Sequence, residues 1–204
     1  MSPQAAKADD GTTLLIACGA LAREIRALIA LNGWDHLTLR CLPAELHLRP
    51  DLIPGAVAAL AEADPRPADR IKVLYADCGT GGALEALCAE KGLELIPGPH
   101  CYSFFDGNDA FAARGEAEMR AFYLTDFLVR QFDAFVWKPM GLDRAPELRD
   151  DLFGGYETLV HLAQTEDPEL DARAREAAAR LGLRHARRFT GYGDLERFMA
   201  GIPA

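Results

Sequence analysis

The chain has 204 residues, half of them hydrophobic and about a quarter charged, with a formal net charge of −9. That length supports a sizeable buried core, and the acidic balance argues against a nucleic-acid partner, which normally needs a basic surface. No apolar run approaches the roughly 18 residues of a membrane span, residues 1–10 lack the apolar stretch of a signal peptide, and an odd count of five cysteines does not read as a disulfide framework. The composition therefore predicts a cytoplasmic protein with free thiols and no membrane partner.

Residues 1–10 are small and polar and are expected to form a disordered tail, leaving 11–204 as a single α/β domain. Residues 12–17 read as a buried parallel strand that runs into Cys18-Gly19, and Leu21, Ile25, Leu28 and Ile29 then recur at helical spacing as far as Gly33. Residues 36–42 alternate as a second strand, ending at Cys41. A loop with His47, Arg49 and Pro50 leads into a helix over 52–63, which Asp64-Pro65-Arg66-Pro67 stops. A third strand over 71–77 meets the turn Cys78-Gly79-Thr80-Gly81-Gly82, followed by a helix over 83–90 and a short strand over 93–97. Gly98-Pro99-His100-Cys101 closes this alternating half. Residues 102–156 are rich in aromatic side chains and read as a helical insertion, in which Thr125 caps a helix carrying Phe127, Leu128, Phe132 and Phe135 as far as Pro139. A strand over 158–163, a helix over 168–181, a strand over 184–189 and a short helix over 194–199 complete the chain.

Strands alternating with helices predict an α/β three-layer sandwich with a mostly parallel sheet, because right-handed crossovers place helices on both faces. Two strand orders remain open, flavodoxin-like 2-1-3-4-5 and Rossmann-like 3-2-1-4-5-6. In the first, strands one, three and four are neighbours and bring Cys18, Cys78 and Cys101 to one carboxyl edge. In the second, the sulfurs spread apart.

Ligands of open parallel sheets bind beyond the carboxyl ends of the strands, which is where these three cysteines fall. Three thiolates hold an iron–sulfur cluster with one iron open, and the same thiolates with His100 make a four-coordinate zinc site. In the metal reading, His47, Arg49 or His100 orients a small polar substrate. Two alternatives stand beside it. One is a metal-free module that holds a small anion at Gly79, Thr80 and Gly81, where a helix N-terminus faces the loop. The other is a thiol enzyme with Cys78 as nucleophile and His100 as base. Cysteines buried as small hydrophobes are the plain structural reading, and it is the reading taken for Cys41 and Cys88. His36, His161 and His185 are read as structural, and Asp77 and Asp106 as an acid, a base or a supporting group. No serine sits in a nucleophile-elbow motif.

The blocks Leu42-Pro43-Ala44-Glu45-Leu46-His47-Leu48-Arg49-Pro50, Tyr75-Ala76-Asp77-Cys78-Gly79-Thr80-Gly81, Pro99-His100-Cys101-Tyr102 and Phe122-Tyr123-Leu124-Thr125-Asp126 follow one another in an order that resembles the family known as domain of unknown function 1638. The resemblance runs from about residue 14 to 192. Many members carry His-Asp-Cys where this chain has His100 directly before Cys101. Members often occur alongside corrinoid-dependent methyltransferases of the trimethylamine type, so the resemblance implies work near methylated amines, with a corrinoid methyltransferase system as partner and, in the metal-free reading, a corrinoid fragment as the ligand at Gly79, Thr80 and Gly81.

Overall fold

The sequence TLLIAC forms β1 (Thr13–Cys18), buried at all six positions in the computed structural model, which describes residues 11–115 and 119–204. A strand covered on both faces has no polar alternation to keep, hence the unbroken apolar run. The tail expected over 1–10 lies outside the described residues. β1 pairs in parallel with β2 (Leu37–Leu42) on one side and β3 (Ile71–Leu74) on the other, and β3 pairs in parallel with the two-residue β4 (Glu94–Leu95). The order is β2-β1-β3-β4, so of the two orders left open by the sequence this sheet takes 2-1-3-4. Ala17 pairs with Leu74, which sets Cys18 and the segment after Leu74 side by side at one carboxyl edge.

The connections are α1 (Ala22–Asn32), α2 (Ile53–Ala63) and α3 (Ala83–Lys91). Gly33 ends α1 at φ 63°, a left-handed cap that costs a glycine little. Asp64 ends α2 and takes the Arg66 backbone N–H at 3.1 Å and its guanidinium at 3.0 Å.

A second parallel sheet follows, β5 (Ala121–Thr125), β6 (Thr158–Ala163) and β7 (Arg184–Phe189), in the order β5-β6-β7. β5 corrects the sequence reading within 102–156, where helix alone was expected. Its run AFYLT suits a pleated, half-buried surface, and Phe122 packs edge-on to Phe153 at 5.1 Å and to Tyr156 at 5.7 Å. The remaining helices are α4 (Cys101–Asp106), α5 (Asn108–Arg114), α6 (Asp126–Arg130), α7 (Leu148–Phe153), α8 (Pro168–Leu181) and α9 (Gly193–Ala200), with a π-helical turn over Asp133–Trp137. Thr125 caps α6 as its sequence position predicts, its hydroxyl accepting the Leu128 N–H at 3.4 Å.

Parallel sheets flanked by helices make this an α/β three-layer fold. The chain divides into two compact units, one running to Cys101 and including Glu196–Ala204, the other spanning Tyr102–Leu195. Among the described residues, no helix is long and apolar enough to cross a membrane.

Candidate functional site

The turn after β3 holds Cys78 at φ 48°, the positive φ found outside glycine among the described residues. A left-handed backbone costs a non-glycine residue roughly 1–2 kcal/mol, and such strain concentrates where a side chain must be aimed. The Cys78 sulfur accepts backbone N–H groups from Ala76 and Cys101. The first residue of α4 is thereby tied to the end of β3.

Cys18 lies on the adjoining strand end, buried, with its sulfur 3.3 Å from the Ala20 N–H and 3.4 Å from His47 Nδ1. His47 Nδ1 is also 3.3 Å from the Ala44 carbonyl. That carbonyl can only accept, so it selects the tautomer protonated at Nδ1. The Cys18 sulfur then shares that proton as a second acceptor, and Nε2 keeps its lone pair. Burial lowers the His47 pKa against the Ala44 bond, which keeps the ring neutral and its Nε2 able to accept a proton or a metal. Tyr75 is 1% exposed, and its hydroxyl interacts with the sulfurs of Cys18 and Cys78 while meeting no partner at hydrogen-bond geometry.

Burial pushes the Cys18 thiol up to about 12, against the Ala20 N–H, and the Cys78 thiol up to about 11, against the N–H groups of Ala76 and Cys101. Without a metal, both are therefore neutral thiols near pH 7. This disfavours a free Cys78 thiolate nucleophile.

The glycine turn is organised around Asp77. Its carboxylate accepts the Thr80 hydroxyl at 2.7 Å, the Gly82 N–H at 2.7 Å and the Gly81 N–H at 3.3 Å. The Thr80 bond, with the Gly82 amide, holds the Asp77 carboxyl below the usual carboxylate range. The amides of Gly81 and Gly82 and the Thr80 hydroxyl, which a bound phosphate would use, are thus engaged by the chain's own anion. Gly79 faces Pro50, whose Cγ would lie 3.5 Å from a Cβ there, so the His47–Pro50 loop packs onto the cysteine turn.

Of the residues singled out in the sequence, Cys18, His47 and Cys78 come together with the backbone of Cys101. Arg49 is exposed and forks onto Asp51 at 3.2 and 3.1 Å, and His100 is exposed in the turn before α4. Cys41 is exposed rather than part of the core, while Cys88 is buried as expected. Tyr75 is the residue that sequence reasoning passed over; its signal is a hydroxyl-bearing aromatic at the end of an apolar strand, three residues before Cys78. Among the described residues, no three His, Cys, Asp or Glu side chains are gathered closely enough to hold a single metal ion.

The carboxyl edge of the second sheet has a different chemistry. Asp126, fully buried at the start of α6, accepts His161 Nε2 at 2.9 Å and the Gln164 N–H at 3.3 Å on one oxygen. The other oxygen accepts the Thr165 hydroxyl at 2.6 Å and its N–H at 3.1 Å. Burial alone would raise this carboxyl, but the bonds from His161 and Thr165 outweigh it and hold the pKa below its ordinary value. His161, also buried, turns Nδ1 toward Asp171 at 3.5 Å without completing a hydrogen bond. Asp106 is claimed by Arg114 and by Arg188, the latter at 3.1 Å.

The fold and the first edge define a parallel α/β protein whose strand ends carry thiols, a phenol and a neutral imidazole. A family model described as "Protein of unknown function (DUF1638)" matches residues 41–199, most of the chain, and the protein belongs to that family. His47, Tyr75, Cys78 and Cys101 fall inside the matched range and Cys18 precedes it. No curated protein and no solved structure matches the chain.

Proposed function

We propose that the protein is a cytoplasmic metalloprotein that carries an iron–sulfur centre on Cys18, Cys78 and Cys101 at the carboxyl edge of the first sheet. The observation that carries this reading is the strained Cys78, its sulfur anchored by the Cys101 amide and standing with Cys18 around the buried Tyr75 hydroxyl. A cluster is larger than one ion, so its donors stand further apart than the tetrahedral thiolates of zinc, each about 2.3 Å from the metal. When bound, the centre supplies an open iron acting as Lewis acid, or a one-electron carrier.

The chain's own residues have separate parts in this reading. The Tyr75 hydroxyl donates to a ligating sulfur, His47 Nε2 accepts a proton from a small polar substrate, and the Asp77-filled turn turns away competing anions. Both thiols, raised above their ordinary pKa, must lose protons, so metal loading rises with pH. Zinc on the three cysteines and His100 is the alternative centre. The corrinoid methyltransferase system implied by family resemblance enters as the electron or accessory partner.

Iron, acid-labile sulfide and zinc per chain, measured with a visible spectrum on protein purified without oxygen, test the proposal. Iron with sulfide, lost in Cys78→Ala and in Cys18→Ala, supports it. One zinc per chain selects the Cys3His alternative. No metal after attempted reconstitution, or iron unchanged by both substitutions, overturns it.

A further inference from the structure

The second unit carries a cleft of about 340 Å³ between α8 and the end of α6 with its following π-helical turn. Arg130, Lys138, Arg173 and Arg180 line it against Asp133 and Glu176, and Arg130 also pairs with the buried Asp126 at 3.7 Å, so the cleft keeps a surplus of positive charge on a chain whose formal charge is −9. The α8 residues Arg173, Glu176 and Arg180 recur at spacings of three and four, which puts them on one helix face, with the two arginines about 10 Å apart along the axis.

Two of these cations are already ordered. Arg173 donates to the Arg130 carbonyl at 2.7 Å. Arg180 bonds Asp133 at 2.8 Å, with its guanidinium 4.2 Å from the centre of the Trp137 ring and 5.1 Å from that of Phe132. Each guanidinium has five donors, and these bonds leave several of them for a ligand. Lys138 forms no ion pair with a described residue. The π-helical turn Asp133–Trp137 immediately precedes Lys138, and π-helical segments occur disproportionately at functional sites. The carbonyl end of α6 works against an anion, and the Arg173 bond to Arg130 offsets part of that field.

We infer that this cleft binds a small molecule bearing two or more anionic groups, phosphate or carboxylate. Its volume sits at the low end of small-ligand pockets, about 300 Å³ and upward, and is too small for a folded partner. Two preordered guanidinium forks match either oxyanion bidentately, and Lys138 adds a mobile point charge. The site lies wholly in Tyr102–Leu195 and does not depend on the metal centre proposed above.

Trp137 reports on the cleft directly. The chain has two tryptophans, so Trp34→Phe leaves Trp137 as the single indole. Titrating that full-length variant with pyrophosphate and with citrate, at fixed ionic strength, should change Trp137 emission saturably, and the tighter of the two identifies phosphate or carboxylate chemistry. Lys138→Gln should weaken binding and Glu176→Gln should tighten it, each by roughly three- to tenfold, the span of one partly screened charge. No saturable change with either anion up to millimolar concentrations, or affinities that neither substitution moves, would overturn the inference.

Discussion

At the end of β1 and β3 stand the buried Cys18 thiol, the half-buried Cys78 thiol and the buried Tyr75 phenol, whose hydroxyl meets no partner at hydrogen-bond geometry. At the end of β5 the buried group is a carboxylate, and both oxygens of Asp126 are engaged, by His161, Gln164 and Thr165. Both edges stand where parallel α/β sheets hold ligands, and each leaves one buried polar atom unpaired, the Tyr75 hydroxyl at the first and His161 Nδ1 at the second, but only the second closes a buried carboxylate into a side-chain network. Buried polar atoms left unpaired cost stability, whereas a buried charge held by several hydrogen bonds contributes to it. The proposed chemistry belongs to the first edge, while the second offers a network whose stabilising part can be measured.

The largest effect should come from breaking the closed edge. Asp126→Ala strands the Thr165 and Gln164 donors and His161, and should lower unfolding free energy by about 3–5 kcal/mol in urea denaturation. A loss below about 1 kcal/mol would mean that the network is not what holds this edge.

The two edges should also fail at opposite ends of the pH scale. Asp126 has a depressed pKa, so its contribution is present above the ordinary carboxylate value of about 3.9 and is lost as pH falls through its folded value. Cys18 and Cys78 have raised pKa values, so their contribution in metal-free protein is present below the ordinary thiol value of about 8.5. It is lost as pH rises through about 11 to 12. Thermal midpoints against pH should show Asp126→Asn flattening only the acid limb, and a Cys18→Ala, Cys78→Ala double variant flattening only the alkaline limb.

Smaller effects sharpen the contrast. Cys78→Gly should be more stable than Cys78→Ala by about 1 kcal/mol, because glycine relieves the left-handed backbone while both lose the sulfur. Equal stabilities would show that the turn carries no strain. Tyr75→Phe should leave metal-free protein as stable as before, or up to about 1 kcal/mol more so, since it removes an unpaired buried hydroxyl. A clear destabilisation would mean that the hydroxyl is already satisfied.

Much of this arrangement was legible in the sequence. Unbroken apolar runs followed by Cys18 or by the cysteine turn mark strands buried on both faces, and Pro168 and Gly182 delimit α8 through ordinary cap chemistry. β5 was not legible. Five residues of AFYLT inside an aromatic stretch fit strand or helix equally, and pairing with β6 decides the matter through contacts distant in sequence. Cys41 misled for a related reason: on β2 the burial pattern places Leu37 and Leu42 in the core and leaves Cys41 outside. At the site, strand order had to be seen before Cys18 and Cys78 could be neighbours, and the pairing of Cys18 with His47 spans 29 residues with no local signature.

The left-handed backbone at Cys78 turns its Cα–Cβ bond in a direction that an extended or right-handed residue at this position would not take. A replacement that keeps the same stem inherits the same line of sight into the edge. Selenocysteine at position 78 would therefore put selenium where sulfur now stands, so that the coordination, redox and alkylation chemistry of this one atom could be followed spectroscopically against four unaltered cysteines.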